Sequence, residues 1–226
     1  MLTLGQASGA DVLVFIDMDD VIAPKGLERH LAVLEAVDFS YGDLELVDAS
    51  GCSLGRRFFD NVWIPDHVDD VVAIRDRNFL GFSNTAVRAS RISPVALIVP
   101  EDIVAADWWF FTMLMLGGLR GRKTAGPVAA YRLHDANLLG VRAPGTVSAA
   151  INQSEAMLRH YRAFSSLPLL AGCAENIEKV LMKLRDLPAQ ELSECLCGVS
   201  FESGVWFEGV GRIAQNLGFV PPVKTI

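Results

Sequence analysis

Three aspartates, Asp17, Asp19 and Asp20, stand within four positions directly after the apolar run at residues 12–16, VLVFI. That run is unbroken, β-branched and aromatic, the pattern of a parallel strand buried on both faces, so the carboxylates are expected at its carboxyl end, where open α/β sheets bind ligands. So much negative charge in one turn suits one of two chemistries. Asp17 is a nucleophile that attacks a phosphate, with Asp19 two positions on as its acid/base partner on the same face, or the group is a clamp for a divalent metal on a nucleotide sugar. A solvated turn capping a helix at Pro24 needs one aspartate, not three. Further along, Asp107 heads the run "DWWFFTMLMLGG" and reads equally as a helix cap or as a general base beside apolar Trp108. His134 closes "YRLH", and Arg132 in the same stretch suits a carboxylate partner.

The elements that must position these groups follow from periodicity. Pro24 fits a first helical turn, and Leu27, Leu31 and Leu34 recur at helical spacing, which predicts an amphipathic helix laid on the sheet. "YGDLELVDASGCSLG" predicts a strand, a turn at residues 48–51 and a return strand. Asp66 is placed to cap a helix bearing Val68, Val71, Val72 and Ile74, which ends before a break at Gly81. The helix begun at Asp107 should end at Gly117 and Gly118. "LRGRKTAGPVAAYRLH" predicts two short strands ending at His134, and from Thr146 onward the pattern is helical with breaks near Pro168, Gly172 and Pro188. Gly140, Pro144 and Gly145 interrupt the periodicity, which divides the chain into residues 1–143 and a helical region 144–226.

Two families resemble parts of this sequence. "FIDMDDVIA" resembles the first motif of haloacid dehalogenase-like phosphatases, which implies Asp17 as nucleophile. Those enzymes also need a downstream lysine and a second acidic pair; Lys123 is followed nearby by Asp135 alone, and the resemblance stops at the first motif. The same aspartates form the Asp-x-Asp signature of family 2 glycosyltransferases with the GT-A fold. Residues 41–55 are similar to the segment that follows that signature, "DWWFFTMLMLGG" looks like the helix opened by the family's catalytic acid, and "YRLHDANLLG" resembles its closing segment. These four landmarks occur in order over residues 11–140.

The second resemblance implies an α/β chain: a partial GT-A, Rossmann-like mixed sheet with flanking helices, followed by a helical C-terminal appendage. It implies metal-dependent, inverting transfer of a sugar from a nucleoside diphosphate sugar to a hydroxyl acceptor. Asp19 and His134 would ligate Mn²⁺ or Mg²⁺, the imidazole tilting preference toward Mn²⁺. Asp17 would contact the donor's sugar or ribose, Arg132 its diphosphate, and Asp20 would stand in the outer shell. Asp107 would be the base, and Trp108 an apolar platform for the acceptor. Family members carry a nucleotide-binding portion ahead of the acidic signature, whereas 16 residues precede Asp17 here. The expectation is therefore an acceptor-side half of the domain, and a complete enzyme, a fragment and a non-catalytic sugar- or partner-binding module all stay open. A strand that has lost its neighbours leaves an apolar edge, which predicts self-association.

Composition narrows the remaining classes. With 226 residues, 51% of them hydrophobic, the chain buries a sizeable core, and a formal charge of −7 provides no basic stripe for nucleic acid. Cys52, Cys173, Cys195 and Cys197 lack paired metal spacing and fit reduced thiols in a cytoplasmic protein. The greasiest stretch, residues 108–119, is too short for a bilayer, which needs about 20 residues; peripheral association with the inner membrane through partners stays open.

Overall fold

Two long strands carry the sheet, β3 (Phe39–Val47) and β7 (Gly121–Arg132). In the computed structural model, which describes residues 9–60, 62–134, 146–188 and 205–219, they run parallel from Phe39↔Gly121 to Val47↔Arg132, with the register slipping around Asp43. Phe39, Tyr41 and Leu44 are fully buried, as a strand covered on both faces requires. The expected pair of short strands ending at His134 is instead this single β7. Gly126 takes a φ of 75° and Pro127 has no N–H to offer, so the strand bulges there and resumes.

The other strands are short. β6 (Thr85–Arg88) lies antiparallel to β3, β1 (Val12–Val14) antiparallel to β6, and β2 (Val21–Ile22) antiparallel to β7, giving the path β1-β6-β3-β7-β2. β4 (Ser53–Arg57) and β5 (His67–Val68) add to β3 and β7, each antiparallel. The result is a mixed α/β sheet. Because residues 15–20 alone connect strands at opposite ends of this path, the sheet curls. The run at residues 12–16 is thus not an interior parallel strand. Its first three residues form an antiparallel edge, half-buried, with β6 as their one partner among the described residues.

Helix α1 (Gly26–Leu34) packs on this sheet, but rotated from the expected face. Gly26, His30 and Leu34 are the buried positions, while Leu27 and Leu31 are 47% and 44% exposed. Close approach explains the rotation. A Cβ at residue 26 would lie 2.2 Å from the Val128 carbonyl oxygen, and the His30 ring pairs with Ser40 Oγ at 2.8 Å beneath the helix. Helix α2 (Ala106–Leu116) is buried around most of its girth and ends, as expected, at Gly117 and Gly118, the latter at φ 80°. The helix expected after Asp66 is absent. Residues 67–68 join the sheet as β5, Asp70 rather than Asp66 receives an N–H, that of Val72, and only a short 3-10 turn follows at Val71–Ile74.

The described residues form two compact units, one made by the chain up to Ile74, Phe79–Pro100 and the segment from Ala106, the other by Arg75–Asn78, Glu101–Ala105 and the described residues from Thr146 onward. The second unit is helical: α3 (Val147–Ala163), α4 (Pro168–Asp186) and α5 (Glu208–Asn216). Thr146 caps α3 by accepting the Ala149 N–H at 3.1 Å, and Pro168 opens α4. Gly172 lies inside α4 without breaking it. Ala150, Val180, Leu184 and Ile213 form the core where the three helices meet. Tyr161 donates its hydroxyl proton to the Arg75 carbonyl at 2.7 Å, which ties the short 75–78 segment to α3. The boundary expected at residues 143 and 144, with Asp135, Gly140 and both Cys195 and Cys197, lies outside the described residues. Cys52 is an exposed free thiol and Cys173 a buried one. Among the described residues no helix is long and apolar enough to cross a membrane.

Candidate functional site

The acidic residues fill the connection between β1 and β2, a turn closed by Asp20 N–H on the Asp17 carbonyl at 3.1 Å. One side of this turn is held by Ser83, whose Oγ accepts the Asp17 N–H at 3.0 Å. The other side is held by the end of β7: Arg132 N–H reaches Asp20 Oδ1 at 2.9 Å and its Nε reaches the Asp19 carbonyl at 2.8 Å. His134, two residues on, meets Asp19 directly, with Nε2 and Oδ2 2.7 Å apart. Residues 115 positions apart in sequence are thereby brought together.

The carboxylates differ in electrostatic character. His134 is the main cause that holds the Asp19 carboxyl below its ordinary value. Burial raises Asp17 and Asp20, opposed in both by the Ser83 hydroxyl, and the charge of Asp19 raises each further. Asp20 Oδ2 is buried with no protein hydrogen bond. Asp107, in the first turn of α2, accepts the N–H of Trp108 on Oδ1 at 2.6 Å. Desolvation pushes its carboxyl up to about 7, and the nearby charge of Asp17 adds to the rise. A carboxyl at that value can take a proton near neutral pH.

Three aromatic rings bring these pieces together. Phe15, two residues before Asp17, packs against Phe82 at 5.2 Å and against Phe110 at 5.7 Å, and Phe82 and Phe110 stand 6.0 Å apart. Phe82 precedes Ser83 and Phe110 follows Asp107 by one helical turn, so a single apolar contact sets the spacing of Asp17, Ser83 and Asp107. None of this shows in the sequence, where the phenylalanines are 67 and 28 residues apart (82 − 15 and 110 − 82) and no local pattern links them.

Two of the expected roles meet different surroundings. Trp108 is 1% exposed, and its indole N–H donates to the Ile74 carbonyl at 2.8 Å. Its ring is enclosed in the core and offers no face to an acceptor, which corrects its assignment as a platform. The guanidinium of Arg132 is occupied with main chain, since beyond Asp19 its Nη1 donates to the Ala49 carbonyl at 3.0 Å and more weakly to that of Asp48. Arg132 therefore laces the acidic turn to the tight turn at residues 48–52, in which Asp48 Oδ1 accepts the N–H groups of Ser50 and Cys52. Lys123, the lysine of the phosphatase reading, pairs with Tyr41 near the opposite end of β7, its ammonium 5.8 Å above the Phe59 ring.

Asp19 and His134 suit a divalent ion by donor type, one hard oxygen and one imidazole nitrogen. Among the described residues no group of three or more His, Cys, Asp or Glu converges on a common point. A pair of protein donors is the pattern of an ion that keeps waters and substrate oxygens for the rest of its shell. No protein-family model matches the chain, and neither curated proteins nor solved structures yield a match.

Proposed function

We propose that this chain is a glycosyltransferase of GT-A type, resembling family 2, that transfers a sugar from a nucleoside diphosphate sugar to a hydroxyl acceptor with inversion. The observation that carries the reading is the meeting of Asp19 with His134 at 2.7 Å beside a carboxylate, Asp17, whose charge is felt by Asp107. Four landmarks scattered along the sequence thereby support one site. Asp107, desolvated at the head of α2, removes the acceptor's proton as the hydroxyl attacks. Asp17 bonds the donor's sugar or ribose, and Arg132 holds the acidic turn in place through its contacts with Asp19 and Asp20. Asp19 and His134 would hold Mn²⁺ or Mg²⁺, which when bound would supply Lewis-acid stabilisation of the leaving diphosphate.

A two-donor site predicts that metal affinity depends on the donor. Calorimetric titration of Mn²⁺ is expected to give weak binding to the protein alone and tighter binding once uridine diphosphate is present, because phosphate oxygens complete the shell. Asp19→Ala and His134→Ala should each weaken the tighter event by at least about tenfold. Unchanged affinity in both variants rejects the metal clamp and returns the acidic turn to a structural role.

A further inference from the structure

The loop that begins at Gly81 is fixed without help from its serine. Asn84, fully buried, accepts the Gly81 N–H on Oδ1 at 2.8 Å and donates from Nδ2 to the carbonyls of Phe79 and Gly42 at 3.0 and 3.1 Å. Thr85 Oγ1 donates to the Gly81 carbonyl at 2.8 Å. Ser83, 6% exposed, sits in the middle of this frame and turns its hydroxyl outward, across 66 residues of sequence, to accept the Asp17 N–H at 3.0 Å.

A serine hydroxyl that accepts one bond still has its own proton to give. The turn beside it carries Asp17, Asp19 and Asp20. Asn84 and Thr85 hold the loop, the Phe15, Phe82 and Phe110 cluster fixes its distance from the turn, and Ser83 supplies the polar contact.

We propose that Ser83 is a positioning residue of the acidic turn, its hydroxyl anchoring the Asp17 main chain on one side while Arg132 holds Asp19 and Asp20 on the other, so that Asp19 is presented to metal and donor. The part that concerns metal and donor rests on the glycosyl-transfer reading above. The part that concerns the turn stands on its hydrogen bonds alone.

The test uses the full chain with Ser83→Ala and Ser83→Thr. Amide hydrogen exchange read by nuclear magnetic resonance follows the N–H groups of Asp17 and of Arg132, the latter reporting the Asp20 carboxylate it is bonded to. Calorimetry follows Mn²⁺ in the presence of uridine diphosphate. Ser83→Ala should speed exchange at both amides and weaken Mn²⁺ roughly three- to tenfold, the effect of one lost hydrogen bond, while Ser83→Thr, which keeps the hydroxyl, restores both. Wild-type protection and affinity in the alanine variant overturn the proposal. Equal losses in alanine and threonine variants also overturn it, by assigning the effect to packing. If the wild-type chain takes up no Mn²⁺ with uridine diphosphate, the transferase reading fails, and the two amides alone decide for or against Ser83 as the anchor of the turn.

Discussion

Asp107 shows how one carboxylate is given two properties by its surroundings. Its bond to the Trp108 N–H, one residue on within the first turn, is one that an asparagine side-chain oxygen can also accept. Desolvation lifting it to about 7 is not ordinary. Asp107→Asn is therefore expected to keep the fold and to lower sugar transfer by roughly 10²- to 10⁴-fold, measured as turnover beside a melting curve; retained turnover would remove Asp107 from the chemistry. The same shift sets a pH dependence. A carboxyl raised in the folded state binds its proton more tightly there than in the unfolded chain, so its contribution to stability is complete below about pH 4, declines as pH rises toward 7, and is lost above that value. The stability of Asp107→Asn relative to wild type should accordingly rise between pH 4 and 7 and level off beyond, a trend that melting curves across that range will reveal. A constant difference would place the carboxyl in water.

At the scale of elements, contacts with close tolerances decide positions that periodicity cannot. The approach of α1 to Val128 leaves no room for a side chain at residue 26. Gly26→Ala should force the helix away from β7 and destabilise by about 1–3 kcal/mol, seen as a lowered urea midpoint, and an unchanged midpoint would show that the helix rides freely. In the aromatic triad, Phe110→Ala should cost about 3–5 kcal/mol and also lower sugar transfer measured as turnover, because the ring packs Phe15, two residues before Asp17, against the helix that carries Asp107. The strand, turn and return strand expected over residues 41–55 and the glycine stop after α2 were legible in the sequence because each is specified locally, by turn residues or by a left-handed cap. The antiparallel pairing of β1, the exposed Leu27 and Leu31, and the burial of Trp108 were not, because each depends on what comes to lie alongside. Of the candidate site, the cluster of Asp17, Asp19 and Asp20 stood out by spacing, whereas Asp107 and His134 were singled out by the resemblance of their segments to family 2 glycosyltransferases. Ser83 could not be picked out, since a serine one position before asparagine in "GFSNT" carries no signal until the chain folds it against Asp17.

For the whole molecule, apolar side chains collect at the surface near the site. Ile16, Met18, Val21, Ile22, Leu27 and Leu31 are all at least 39% exposed within one short stretch of chain, and β1 has an open edge among the described residues. Such surfaces favour association. The purified chain is expected to self-associate as its concentration rises, by size-exclusion chromatography with light scattering, and the double variant Leu27→Glu, Leu31→Glu should shift it toward monomer without lowering its melting temperature. A wild-type chain that stays monomeric at high concentration would refute this use of the surface.

The strand order also sets a schedule for synthesis. Among the described residues β1 pairs with β6 and β2 with β7, and Asp19 meets His134 from 115 positions away. A chain leaving a ribosome at about 5–20 residues per second thus holds its first strand and acidic turn without their partners for roughly ten seconds. β1 can dock on β6 as soon as residues 85–88 are made, whereas β2 and the meeting of Asp19 with His134 must wait for β7 and the residues just after it. A three-residue β1 is short enough to wait in that state with little backbone offered to neighbouring chains.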